Sequence, residues 1–231
     1  MYPNIQAYDR GVMFDPTGRL FQVEYAKEAV RKGATSIGVI ADDAVVFVAH
    51  RNINRPLAVP DTLQKIFKVD SHIAVTYSGI VSDGLHMVSV MRNKAQSHRM
   101  VYDETESVET IAKEIAEELQ MATQYGGIRP YGISMLVGGY DTTKKLFEIG
   151  PDAAFLGYKA VAIGSGKQSA EDILVKEYKD DMKSEDAIAL SVSIIKKFGD
   201  KKMGPDDLEI AIISKDKGYD MFSKEAVAKF L

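Results

Sequence analysis

The sequence contains no cysteine. Disulfides, thiolate-held metal sites and cysteine nucleophiles are thereby excluded, and a reducing compartment suits such a chain. Histidine is scarce too. His50, His72, His86 and His98 are the four present, and they show no metal-ligand spacing. No run approaches the roughly 20 apolar residues of a membrane-spanning helix. The start, Met1 to Gln6, lacks the basic and apolar stretches of a secretory signal. An excess of positive charge is also missing. With 29 Lys and Arg against 33 Asp and Glu, the net charge is −4. No basic field draws in nucleic acid or an anionic membrane. Gly164-Ser165-Gly166 lacks both the lysine-plus-hydroxyl of a P-loop and the third glycine of a dinucleotide fingerprint. The expectation is a cytoplasmic protein with no metal and no cofactor.

What is present reads as one domain spanning residues 1–231, with no repeat or composition break. Residues 1–12 are aperiodic and read as a mobile arm. Asp15-Pro16-Thr17-Gly18 is turn chemistry. A helix is expected over 19–32, with Leu20, Val23, Ala26 and Val30 as its apolar stripe and Gly33 as its stop. Phe21 and Tyr25 flank that stripe, where core or interface packing is the plainer alternative to a functional role.

Hairpin-like strand pairs follow at 35–40 with 44–49, and at 66–69 with 72–77. The unbroken apolar run Ala44 to Ala49 reads as a strand covered on both faces. Helices are expected at 83–99, with Leu85, Val88, Met91 and Ala95 inward, and at 107–125, capped by Ser107. Strands at 133–138, 145–149, 153–157 and 160–163 come next, then helices at 168–178 and 184–198, a strand at 208–213 and a helix at 224–230. Strands in hairpin groups and helices in pairs argue for an α+β fold of stacked antiparallel sheets with helix pairs outside.

The run Tyr8-Asp9-Arg10-Gly11-Val12, continued by Phe14-Asp15-Pro16-Thr17-Gly18-Arg19-Leu20-Phe21-Gln22-Val23-Glu24-Tyr25-Ala26, resembles the N-terminal signature of 20S proteasome α-type subunits, archaeal-like in its short C-terminus. Lys32-Gly33-Ala34-Thr35, Ser78-Gly79, Tyr125-Gly126-Gly127, Arg129-Pro130-Tyr131-Gly132 and Ile163-Gly164-Ser165-Gly166 extend the likeness along the chain. The resemblance implies a four-layer αββα sandwich, the N-terminal-nucleophile hydrolase fold. It implies a heptameric ring of α subunits stacked on β subunits, with unfolded polypeptide in transit.

It also implies site residues. Tyr8, Asp9, Arg10, Pro16 and Tyr25 match the cluster that holds the gate at the ring axis. Gly33, Lys65 and Ile80 match a pocket that accepts the C-terminal tails of regulatory ATPases or other activators. Arg129, Pro130, Tyr131 and Gly132 match a constriction loop inside the ring. The chain's own end, Lys229-Phe230-Leu231, lacks the hydrophobic-tyrosine-any pattern of such tails.

The rival reading is a catalytic β-type subunit, or another N-terminal-nucleophile peptidase. That chemistry needs a Thr, Ser or Cys exposed as the first residue, with its own amine to help take the proton. Alignment on Thr35-Ser36-Ile37-Gly38 puts Ala34 at that place, which has no nucleophile. His50 falls where active enzymes carry a carboxylate, and Lys65 falls at their lysine. No catalytic residue is therefore expected.

Overall fold

The structure, a computed structural model, describes residues 13–52, 57, 59–198 and 203–231. After a turn at the N-terminal side come α1 (Phe21–Arg31), β1 (Ser36–Ile40), β2 (Ala44–His50), β3 (Ile66–Asp70) and β4 (Ile73–Gly79). The helix pair α2 (Val81–Tyr102) and α3 (Val108–Gln124) follows. Next are β5 (Ile133–Tyr140), β6 (Lys144–Ile149), β7 (Phe155–Gly157) and β8 (Ala160–Ile163). A second pair, α4 (Lys167–Glu177) and α5 (Ser184–Phe198), precedes β9 (Leu208–Ser214), β10 (Gly218–Met221) and the short α6 (Lys224–Val227).

The strands form two five-stranded sheets, ordered β10-β9-β2-β1-β8 and β3-β4-β5-β6-β7. Every pairing is antiparallel. Period-two alternation sorts the strand side chains into layers. On β2, Val45, Phe47 and Ala49 face the opposite sheet, while Val46 and Val48 face α4 and α5. On β4, Ala74 lies between the sheets, while Ile73, Val75 and Tyr77 pack under α2 and α3. Three apolar layers thus hold four structural ones together, and the expected αββα sandwich is the observed architecture.

Most elements fall where the apolar period puts them. The differences have local causes. α1 starts at Phe21 rather than residue 19 because Arg19 is tied into the preceding turn. Its N–H donates to Asp15 Oδ1 at 2.8 Å, and its carbonyl accepts from Asp15 N at 2.9 Å. α2 starts at Val81, and its inward face is Gly84, Met87, Val88, Met91 and Ala95. Leu85, expected inward, is 44% exposed. The face turns because Gly84 lies against the Tyr77 ring, where a Cβ would come within 2.4 Å. β10 has no counterpart among the expected strands: Gly218-Tyr219-Asp220-Met221 is only four residues long, with Tyr219 and Met221 turned to the core, and pairs at the sheet edge. Among the described residues, no helix is long and apolar enough to cross a membrane.

Candidate functional site

The chain enters α1 through a turn built by one carboxylate. Asp15 accepts from the Thr17 N–H at 2.9 Å, the Thr17 hydroxyl at 2.8 Å and the Arg19 N–H. These bonds hold its pKa below the ordinary carboxylate value, led by the Arg19 backbone N–H. Gly18 closes the turn at φ +81°. Pro16 stands exposed on its outside. Further along α1, Tyr25 is 49% exposed and stacks on Phe21 with ring centroids 6.3 Å apart. Pro16 and Tyr25 are thus both presented at the surface. Their expected partners Tyr8, Asp9 and Arg10 lie outside the described residues.

Past α1 the chain passes Gly33 and Ala34 into β1. Gly33, the expected helix stop, follows the last turn of α1 but takes no positive φ. Its role is close approach. A Cβ there would lie 2.2 Å from Ser78 Oγ and 2.4 Å from Gly79 N. The Gly33–Ala34 segment is gripped from both sides: Gly33 O accepts from Ser165 N at 2.9 Å, and Ala34 O accepts from Ser78 Oγ at 3.0 Å. The next hydroxyl, on buried Thr35, is committed to the Gly166 N–H at 3.0 Å.

The end of β4, Tyr77 to Ile80, gathers the three residues expected to take a tail. Gly33 abuts Ser78 and Gly79. Lys65 Nζ donates to Tyr77 O at 2.8 Å and lies 4.7 Å from the centre of the Tyr77 ring. Ile80, 37% exposed, follows directly in sequence. Burial lowers the Lys65 pKa to about 8, and the charge of Glu209 opposes the fall. Gly79 makes the crossing possible. At φ +118°, it comes so close to the next loop that a Cβ would sit 2.0 Å from Gly132 O.

That loop is the expected constriction segment, and it is pinned to the same place. Ile80 N donates to Gly132 O at 2.9 Å. Arg129 donates to both carboxylate oxygens of Asp83 at 2.7 Å, and Gly132 N donates to Asp83 Oδ2 at 3.0 Å. Burial works to raise the Asp83 pKa, but these donors outweigh it and leave it below 3.8. Tyr131 stacks on His86 of α2 with centroids 6.1 Å apart, and Pro130 is buried. Sequence reading misses Asp83, whose partner lies 46 residues away. It also misses Glu209, 144 residues from Lys65. Acidic residues in a first helical turn or a strand carry no mark of such partners.

A cleft of about 530 Å³ lies between α1, the turn after β6 and the turn before α4. Its charged walls are already paired: Lys27 with Asp152 at 3.1 Å, and Lys167 with Glu148 at 2.5 Å. Ser134 donates to Glu148 at 3.3 Å, and none of the four histidines lines the cleft. Among the described residues, no group of three or more His, Asp or Glu could hold a metal ion.

Comparison with known proteins gives two family matches. The family described as "Proteasome subunit" matches residues 30–213, and the N-terminal signature of A-type proteasome subunits matches residues 8–29. The proteasome alpha subunit of Pyrococcus horikoshii is 42% identical over 231 residues, 99% of this chain and 88% of that protein. That of Archaeoglobus fulgidus is 40% identical over 210 residues, 90% of this chain and 85% of the relative. That of Methanosarcina thermophila is 40% identical over 227 residues, 97% and 92% of the two chains.

Proposed function

Because this chain belongs to the proteasome subunit family, as an α-type member, we propose that it is a non-catalytic component of the 20S core that builds the outer heptameric rings, gates substrate passage and docks activator tails. The observation that carries the docking reading is the convergence of Gly33, Lys65 and Ile80 on the Tyr77–Ile80 corner. A partly exposed aliphatic side chain just past the strand end that holds a partly sheltered ammonium suits a C-terminal tail, which brings an apolar side chain and a carboxylate together. Lys65 spends one donor on Tyr77 O and has three to give.

The non-catalytic reading is supported at Ala34. No nucleophile stands there, and the Gly33–Ala34 peptide is held on both sides. α1 also buries Val23, Ala26 and Val30, which supports a helix before Ala34 that is kept as packed structure. The gating reading rests on the exposure of both Pro16 and Tyr25, which share the matched N-terminal signature with Tyr8, Asp9 and Arg10. In this reading Arg129 to Gly132 form the constriction loop, and the assembly partners are neighbouring α subunits and the β ring.

Native mass measurement on the purified chain, with and without a β partner, tests the proposal when paired with a peptidase assay. A seven-fold ring that hydrolyses peptide only when β is present is expected. A monomer, or hydrolysis by the chain alone, overturns it.

A further inference from the structure

Lys65 ends the segment that leads into β3, and its backbone is fixed from the other sheet. The carboxylate of Glu209, on β9, accepts the N–H groups of both Lys65 and Ile66 at 2.8 Å each. Its second oxygen lies 3.4 Å from Arg51 Nε. Arg51, just past the end of β2, grips the same segment by its carbonyls. Its Nε donates to Leu63 O at 2.8 Å, and its Nη2 donates to Pro60 O. The Arg51 and Glu209 side chains are only 7% and 11% exposed.

A brace of this kind does not need charge. Two backbone N–H groups are satisfied by a neutral amide oxygen, and burying a carboxylate costs several kcal/mol before its partners repay it. Burial does raise the Glu209 pKa. What the charge adds is directed at Lys65. The ammonium is desolvated against Tyr77, and Glu209 is the group that favours keeping its proton.

We propose that Arg51 and Glu209 form a clamp on residues 60–66 that aims Lys65, with Glu209 the positioning residue for carboxylate capture. This rests on Lys65 being the docking lysine. Arg51 draws the carbonyl side of the segment down, Glu209 draws the amide side, and the Lys65 Cα is thereby set one side-chain length from the Tyr77–Ile80 corner. The titratable groups around the pair are Arg51 beyond β2, Tyr77 on β4 and Tyr219 on β10, with Arg92 of α2 acting on Tyr219. The tyrosines are held neutral, both pushed up to about 12 by burial, so Glu209 is the charge that bears on Lys65 at neutral pH.

The test uses the assembled particle and a short fluorescent peptide ending in an aliphatic residue, tyrosine and a third residue. The peptide is used as the free acid and as its C-terminal amide, and its affinity is measured from pH 6 to 9. For the parent, the free acid should bind at least tenfold tighter than the amide, with the preference fading above about pH 8. Glu209→Gln, which keeps an acceptor for the two N–H groups, should move that fading down by about 0.5–1 pH unit. Arg51→Lys, which keeps the charge but not the fork, should weaken the free acid severalfold with the midpoint unchanged.

If Lys65→Met leaves the acid preference intact, the docking reading of Lys65 fails and the clamp has no object. If Lys65→Met abolishes the preference while Glu209→Gln leaves the midpoint unmoved and Arg51→Lys leaves the affinity unaltered, docking stands and the clamp is overturned. Should Glu209→Gln fail to assemble, unaltered affinity in Arg51→Lys overturns it equally.

Discussion

Arg129 holds Asp83 through both terminal nitrogens, at 2.7 Å each. The pair joins the 129–132 loop to the first turn of α2, and Gly132 N completes the set on the same carboxylate. The two ends differ in burial: the Arg129 side chain is 56% exposed and that of Asp83 is 8% exposed. Solvent screens the guanidinium, so Arg129→Ala should cost only about 1 kcal/mol. Asp83→Ala also orphans the buried Gly132 N–H and should cost about 2–3 kcal/mol. Thermal unfolding of both variants and of the double variant measures the difference. Equal losses would mean that the Gly132 bond contributes nothing.

The same carboxylate gives a pH dependence of known sign. Its pKa lies below the ordinary 3.8 in the folded chain. The stability it contributes is therefore complete above 3.8 and is lost as pH falls through the lower folded value. The stability gap between the parent and Asp83→Asn should be constant near neutrality and close in acid. A gap that widened as pH fell would contradict the assignment.

Gly33 is required by space, not by its dihedral angles. A methyl group there meets the backbone nitrogen of Gly79 at 2.4 Å, and that atom is fixed by the β4–β5 ladder. Gly33→Ala should destabilise by about 1–3 kcal/mol through overpacking. For a domain of this size each kcal/mol lowers Tm by about 2–4 °C. An unchanged Tm would show that the α1–β4 crossing can open without loss.

Deletion of residues 2–12 tests the proposed gate. In an assembled α/β particle it should speed hydrolysis of a long peptide severalfold while leaving a very short peptide nearly unaffected. The exposed Pro16 and Tyr25 remain in that variant. Equal rates for the long peptide before and after deletion would remove the gating role.

The architecture is legible in the sequence wherever one face of an element is apolar. The stripe Val108, Ile111, Ala112, Ile115 and Leu119 is buried as its spacing demands, and Ser107 accepts the Thr110 N–H at 3.0 Å as its cap. The run Ala44 to Ala49 is buried on both faces because it lies between the second sheet and α5. Local turn chemistry at Asp15 to Gly18 is equally plain. What stays hidden is long-range polar pairing. Asp83 with Arg129, and Glu209 with Lys65 and Arg51, are joined by sheet order and loop crossing, which no periodicity encodes. Gly33 is placed correctly for the wrong reason, since sequence shows a glycine but not whether angle or space demands it.

Lys65 offers the sharpest measurement, because its burial and its proposed docking role respond to pH in opposite directions. Burial lowers its folded pKa from 10.5 to about 8, so between those values the unfolded chain holds more protons than the folded one at this residue. Its contribution to stability therefore rises with pH across that window. Carboxylate capture needs the proton and fades over the same range. Lys65→Met abolishes both responses. Comparing parent and variant cancels Tyr77 and Tyr219, whose raised values act in the opposite sense above 10. Denaturant midpoints for the parent should gain on the variant from about pH 7.5 to 9.5, while activator-stimulated hydrolysis by the parent particle declines. Stimulated hydrolysis by a particle carrying Lys65→Met should be near its unstimulated level throughout. Full stimulation in that variant would remove Lys65 from the docking site, whatever the stability curve shows.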